Sequence, residues 1–515
     1  ESTVDDLPDE VLEYILSLVA PYKDLQECSL VCKRWHRSVK NVIRHAQKFL
    51  HRSIVDFNIR WENITPAEMA PSITKRYSHS ACRHDNSMYV FGGCTTTSTT
   101  FNDLWRLDLN KRQWVRPLTM GTYPSPKACA SIVCYKEALI LFGGWSHPSP
   151  YPLHQAWRLF SELHVYGIVS NRWACINTPT TPPAMAGHSA TIQGELMVVF
   201  GGLQKTNVLL GQCGSSNDVW CFNLENQTWN KQTTTDVKPF CRYGQSQISL
   251  DDRNVLILGG CGGPNMMFSD VWLLSLTDPI WTWREVPVRN LQWAATYMWC
   301  HPACKVLLSP NLDEIIQSVR KNPSSSQPSP EHRPPLPDQG RINQVTCPPK
   351  PLTAASSNDL ENAGPSGIGM AAFRDPSPVM KPGASENRRR QLESLRRMEE
   401  RIRPYGNNVY ISPSPSESKS QMTKNVMTMS VLDISHVLTD GCYVEWLCPK
   451  FHNASSGGPE EKILYTLIAG KGELIMFGGI QKDATSVKSQ AQPLSNAANA
   501  VSNSLHFITA PRGII

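Results

Sequence analysis

Cys300, His301 and Cys304 form the densest group of metal-ligand residue types in the chain. Structural zinc sites pair two CxxC-like halves; the second half is missing here, so no metal is expected. Neither GxGxxG after a strand nor GxxxxGK[ST] occurs, which removes the usual cradles for nucleotide phosphate. No cofactor and no catalytic constellation is expected. What remains is recognition chemistry. Arg76, Lys127 and Arg242 could read an acidic or phosphorylated segment through charge-assisted hydrogen bonds. Trp145, His147 and Tyr151 lie with His154 on the proline-stiffened stretch WSHPSPYPLH. Rigid aromatics of this kind make binding anchors, though Trp145 and Tyr151 could equally pack on a neighbouring loop. Asn265 belongs to GGCGGPN, a further candidate loop.

The elements that must position these residues recur. MYVFGG, ALILFGG, ELMVVFGG and VLILGG each end an apolar strand in Gly-Gly. The first glycines fall at 92, 143, 201 and 259, spaced by 51, 58 and 58 residues. Each is followed by an Asp- or Glu-led strand such as FNDLWRLDL or SDVWLLSL, then by a lone Trp: Trp114, Trp173, Trp229, Trp283. Four short strands per unit, broken by polar residues and Gly/Pro, are the composition of a propeller blade. The fourth-strand Trp should wedge between units, its indole N–H needing a partner. Trp299 to Val306 reads as the opening of a fifth unit with a weak second strand; MTMSVLDIS and VEWLCP, with Trp446, supply its later strands. A last unit, LYTLIAG, ELIMFGG and SNSLHFI, lacks its Trp strand. The segment around Trp61 is expected to supply it and close the ring, removing open edges.

Ahead of the repeats, Pro8 suits a first helical turn, and Val11, Leu12, Ile15, Leu16 and Val19 share one helical face. Asp24 with Glu27 marks a second helix carrying Cys28, Val31, Cys32 and Trp35; a third is expected from about Ser38 to Leu50. Three short helices hide little surface. Leu7, Leu12, Ile15, Leu16, Leu25 and Leu30 exceed what so small a bundle can bury, so either a partner or the propeller must cover the rest.

The 515 residues carry a formal charge of +6, with seven Arg against four Glu between Glu386 and Arg403. Elsewhere charge is nearly balanced, which gives no case for nucleic acid. No run of 18 apolar residues argues for a membrane span. Sixteen cysteines without an even framework suit free thiols in a reducing compartment, cytoplasm or nucleus. The first residues offer no signal peptide and no initiator Met, so the extreme N-terminus is expected to be missing. Residues 309–425, rich in Pro and Ser, cannot bury enough surface to fold; Leu392, Leu395, Met398 and Ile402 mark one short amphipathic helix there.

Leu7-Pro8, the apolar positions after it and Val31-Cys32-Lys33-Arg34-Trp35 resemble an F-box, and the Gly-Gly/Trp units resemble Kelch repeats. The resemblance to the F-box/Kelch-repeat family implies an all-α F-box (1–50) followed by a six-bladed Kelch β-propeller (51–308 and 426–510), with a disordered insert (309–425) in the fifth blade. It implies a non-catalytic substrate receptor of a ubiquitin ligase, carrying neither a thioester cysteine nor a RING. Leu7, Pro8, Val11, Leu12, Ile15, Leu16, Leu25 and Trp35 would bind a Skp adaptor that hangs from a cullin-RING scaffold. Protein substrates would bind propeller loops at Arg76, Lys127, Trp145, His147, Tyr151, Arg242 and Asn265. A ubiquitin-independent Kelch scaffold is the other reading.

Overall fold

The computed structural model describes residues 4–65, 70–97, 99–146, 158–207, 212–263, 265–295, 298–306, 426–449, 458–481 and 500–511. The expected insert, its amphipathic helix, His147, Tyr151 and His154 lie outside them.

Three helices come first: α1 (Asp9–Ser17), α2 (Lys23–Cys28) and α3 (Lys33–Val55). Pro8 precedes α1, and its carbonyl accepts from Val11 and Leu12. Asp9 and Glu10 then complement the positive helix end. The second and third helices depart from expectation. The period through Cys28, Val31, Cys32 and Trp35 does not make one helix, because the chain breaks after Cys28. Cys32 is extended and caps α3, its sulfur accepting from the Trp35 amide at 3.5 Å. The third helix therefore starts at Lys33 rather than Ser38 and runs past 50 to Val55. Leu12, Leu16, Leu25, Val39 and Val42 make the bundle's core.

Sheets built on four antiparallel strands follow, the second with Met120–Gly121 added parallel to its outer strand. The first holds Ser80–His84, Ser87–Phe91, Leu104–Asp108 and Gln113–Val115. The second holds Ser131–Tyr135, Ala138–Phe142, Leu163–Gly167 and Arg172–Ile176; the third Ser189–Gln193, Leu196–Phe200, Val219–Asn223 and Thr228–Lys231. The fourth holds Ser246–Ser249, Asn254–Gly263, Met266–Ser275 and Thr282–Val286. Its middle strands run past Gly-Gly into a long hairpin. A fifth, shorter sheet joins Val288–Arg289, Val444–Trp446 and Leu432–Asp433.

The closing sheet carries Thr466–Ala469, Leu474–Phe477 and Leu505–Thr509, and its outer strand is Arg60–Ile64, paired antiparallel with Leu505–Thr509. Trp61 lies opposite Ile508. The N-terminal segment thus completes the last sheet, as its spacing predicts.

The segments leading into the sheets are joined by a cycle of backbone hydrogen bonds. Cys129 N–H donates to Ser78 O (2.9 Å), Gly187 to Cys129 (2.9 Å), Gly244 to Gly187 (2.8 Å) and Cys300 to Gly244 (3.0 Å). Leu464 then donates to Cys300 (3.2 Å), and Ser78 to Leu464 (2.9 Å), which closes the cycle. All six residues sit at positive φ, from 53° to 68°. Four of them bear side chains, a strain that only an over-determined ring retains.

Between sheets, each second-strand Phe meets the next sheet's fourth-strand Trp. Phe91–Trp173, Phe142–Trp229, Phe200–Trp283 and Phe477–Trp114 have ring centroids 5.6, 4.8, 5.1 and 4.9 Å apart. The indole N–H groups of Trp173, Trp229, Trp283 and Trp446 find no hydrogen-bond partner among the described residues, contrary to expectation. Burying an indole of about 150–250 Å² is worth roughly 4–6 kcal/mol. That exceeds the ~1–3 kcal/mol of one unmade hydrogen bond, so packing wins.

Candidate adaptor-binding and recognition surfaces

On α1 two apolar stripes lie side by side. Leu12 and Leu16 point into the bundle, each 1% exposed. Pro8, Val11, Ile15 and Leu18 turn outward. Leu30 and Val31, between α2 and α3, are exposed at 82% and 63%. The expected adaptor residues therefore divide. Pro8, Val11 and Ile15 are available, and Leu7 is half-buried. Leu12, Leu16 and Leu25 are corrected to core, because the bundle needs them to fold; Trp35 packs half-buried against the same core. Leu18 and Val31 join the surface. Periodicity stops short of Leu18 and places Val31 on a helix that ends before it, because both sit where helices end. The edge is pinned by Arg34, which donates to Asp9 at 2.8 Å and to the Leu7 carbonyl. The Arg34 hydrogen bond holds the Asp9 carboxyl below its usual range.

The bundle is seated on the sheets at one end. Tyr22 Oη donates to Glu473 Oε1 at 2.6 Å. Glu473 also pairs with Arg112 (3.3 Å), which reaches Glu62 (2.9 Å) and lies over the Phe507 ring at 4.2 Å. Asn110 donates to Asp24 at 2.8 Å. Leu50 and Ile54 of α3 pack with Leu474 and Ile508. Asn86, Asn110 and Glu473 all stand at the strand ends opposite Gly-Gly. In the first sheet Ser87–Phe91 starts beside Asn86 and ends at Gly92, so the Gly-Gly loops face away from the bundle.

On that far face, lead-in segments pair with the residues after Gly-Gly: Tyr77 with Cys94, Ala128 with Trp145, Met185–Ala186 with Leu203–Gln204, Tyr243 with Cys261. Gly93, at φ 92°, explains the invariant pair in this chain, since a Cβ there would stand 2.8 Å from His79 Cβ. The three cations expected to read an acidic ligand have a different task, and this corrects that expectation. Arg76 and Arg242 are fully buried and Lys127 is 1% exposed. Arg76 forks onto Asp103 at 2.7 and 2.9 Å and covers Phe101; Arg242 forks onto Asp270 at 2.7 and 2.8 Å and covers Phe268. Lys127 holds Glu162 at 2.9 Å over Phe160. Burial would raise the Asp103 carboxyl, but Arg76 overrides it and the net displacement is downward. These clasps tie each lead-in segment to its own third strand.

Trp145 is half-buried, with its backbone paired to Ala128. Asn265 is exposed at the tip of the long fourth-sheet hairpin, beside Met266 and Met267. Phe240, 71% exposed, stacks on Phe268 with planes 4° apart. Met266, Met267 and Phe240 form exposed apolar surface beside Asn265 on this face. Their only sequence signal is apolar residues within a turn.

The comparisons agree with this division. An F-box-like family model matches residues 4–45, and the model of the FBX42 β-propeller domain matches residues 76–283. Human Kelch domain-containing protein 3 is 25% identical over 241 residues, covering 44% of this chain and 60% of that protein. Rice Adagio-like protein 3 is 28% identical over 286 residues, covering 55% of this chain and 38% of that protein. The chain thus spans less than two thirds of the length of the curated relatives it matches. The solved structure of YjhT aligns at 16% identity and a TM-score of 0.34, over 42% of this chain and 66% of that one. With an F-box-like module ahead of a propeller built from Gly-Gly/Trp units, the chain has the domain organisation of the F-box/Kelch-repeat proteins.

Proposed function

We propose that this protein is the substrate receptor of a Skp–cullin–F-box ubiquitin ligase. The helical module binds a Skp adaptor, which hangs from a cullin-RING scaffold, and the far face of a six-bladed propeller holds the protein to be modified for proteasomal degradation. One observation carries this reading: an apolar stripe (Pro8, Val11, Ile15, Leu18, Leu30, Val31) is left uncovered after the bundle has packed its own core and docked on the sheets. Such a patch on a small module is a partner surface. The chain's contribution to ubiquitin transfer is positional: it raises the effective concentration of a target lysine near the loaded enzyme. It is read as non-catalytic and without cofactor. The fifteen described cysteines, all free, suit cytoplasm or nucleus.

The ubiquitin-independent scaffold is favoured by a different observation, the seating of Tyr22, Leu50 and Ile54 on the chain's own propeller. One experiment separates the two. The full chain and its Val11→Asp/Ile15→Asp variant are used to capture Skp and cullin from a cell extract, with circular dichroism reporting the fold. Capture by the wild type and its loss in a folded variant supports the ligase reading. Equal capture by both, or none by either, rejects it.

A further inference from the structure

In four sheets an acid stands directly before the apolar run of the third strand: Asp103, Glu162, Asp218 and Asp270, in Phe-Asn-Asp-Leu, Phe-Ser-Glu-Leu, Ser-Asn-Asp-Val and Phe-Ser-Asp-Val. In three of them a buried cation from the lead-in segment clasps that acid. The closing sheet reads Ser502-Asn503-Ser504-Leu505 in the same frame. It keeps the cation, Lys462, which is 7% exposed, but carries serine at the acid's position. Lys462 Nζ donates to Ser502 Oγ at 2.9 Å and to Ser504 Oγ at 2.7 Å.

The third sheet has the converse departure and resolves it. Met185 replaces the cation there, and Asp218 pairs instead with the half-exposed Lys231 at 2.9 Å. Lys462 has no such exit. It stays buried on neutral oxygens, and burial, opposed by Glu460, pulls its ammonium down to about 8.

The second sheet shows what this arrangement accommodates. There the cation is also a lysine and the acid is the longer Glu162, which holds Lys127 at 2.9 Å and accepts from Ser125 at 3.0 Å. A phosphoserine side chain has a similar reach, with more charge and three strong acceptor oxygens. We propose that Ser504 is a phosphorylation site whose phosphate completes the Lys462 clasp. A kinase would transfer the γ-phosphoryl of ATP. The bond to ADP breaks, the Oγ–P bond forms, and the hydroxyl proton passes to the kinase's base.

Ser504 rather than Ser502 is assigned for two reasons. It occupies the acid's position in the repeat, and Ser502 Oγ already caps the turn, accepting from the Ser504 amide at 3.0 Å and donating to Ser504 Oγ at 2.8 Å. Ser504 is half-buried beside the exposed Asn503 and precedes the ladder of Leu505–Thr509. Presenting it releases local bonds: Ser502 N–H to Gly479 O, Asn503 to Ile73 O, and Gly478 N–H to Ser504 O. The phosphate would clamp the start of the strand that pairs with Arg60–Ile64, at the seam of the ring.

The test uses the full chain with phosphoserine genetically encoded at 504. By ³¹P titration the phosphate, ordinarily with a second pKa of about 6, should titrate about one unit or more lower beside an ammonium. Lys462→Met, which copies Met185, should restore the ordinary value. Tm should rise by about 2–5 °C over the unmodified chain, whereas Ser504→Ala gives no rise. The chain purified from eukaryotic cells with phosphatases inhibited should yield the Ser504 peptide in phosphorylated form. Three results overturn the proposal: a phosphate titrating alike with and without Lys462, a Tm that falls on phosphorylation, or a Ser504 peptide recovered only unmodified.

Discussion

Tyr22 and Glu473 stand 451 residues apart in sequence and 2.6 Å apart in the fold. Their bond joins the helical module to the turn that opens the closing sheet's second strand. Burial raises the Glu473 carboxyl, against the opposing pull of Tyr22 and Arg112. A hydrogen bond to a group of this kind contributes about 1.5–3 kcal/mol. Tyr22→Phe should lower the stability of the docked module by that order and leave the sheets intact. Hydrogen exchange should then show faster opening of α2 than of the sheets. Equal protection of α2 in both proteins would remove Tyr22 from the docking account.

The bundle's two stripes should separate stability from binding. Leu16→Ala opens a cavity in the module's core and should cost about 2–5 kcal/mol. Leu30→Asp, at an 82% exposed position, should leave thermal unfolding within about 0.5 kcal/mol of wild type and still abolish adaptor capture. Differential scanning calorimetry paired with the capture assay reads both effects.

The Arg242–Asp270 clasp predicts a non-additive pair. Arg242→Met leaves Asp270 without its cation and should cost about 3–5 kcal/mol. Arg242→Met/Asp270→Asn should recover part of that loss, since no charge then remains uncompensated. Urea denaturation of both variants checks the sign of the coupling.

Acid should destabilise the ring through its neutral histidines. Burial lowers His79 and His188 from 6.5 to about 3, and His164 and His506 to about 4. Because these pKa values are depressed on folding, the stability they allow is fully present above pH 6.5. It is lost as pH falls, because the unfolded chain takes up the protons first. His188 bonds Ser131 at 2.9 Å through Nε2; Gln245, at the same place in the fourth unit, bonds Ser189 at 3.0 Å. His188→Gln should therefore fold and lose less stability between pH 6.5 and 4 than wild type. Identical slopes in the two proteins would refute the assignment.

The sequence by itself determined the repeats, the module ahead of them and the closure by Trp61. Those features rest on local rules: glycine at positive φ, strand alternation, a Trp at fixed spacing. Gly-Gly, the aspartates and the Trp of each unit were legible because every unit solves the same packing problem. Only the tertiary structure decided which of α1's adjacent stripes is core, since 3.6-residue periodicity marks an apolar face without naming its neighbour. It also turned Arg76, Lys127 and Arg242 from ligand-facing cations into internal clasps. Their acids, Asp103, Glu162 and Asp270, lie 27 to 35 residues away, and charge in a sequence carries no sign of whether a partner will bury it.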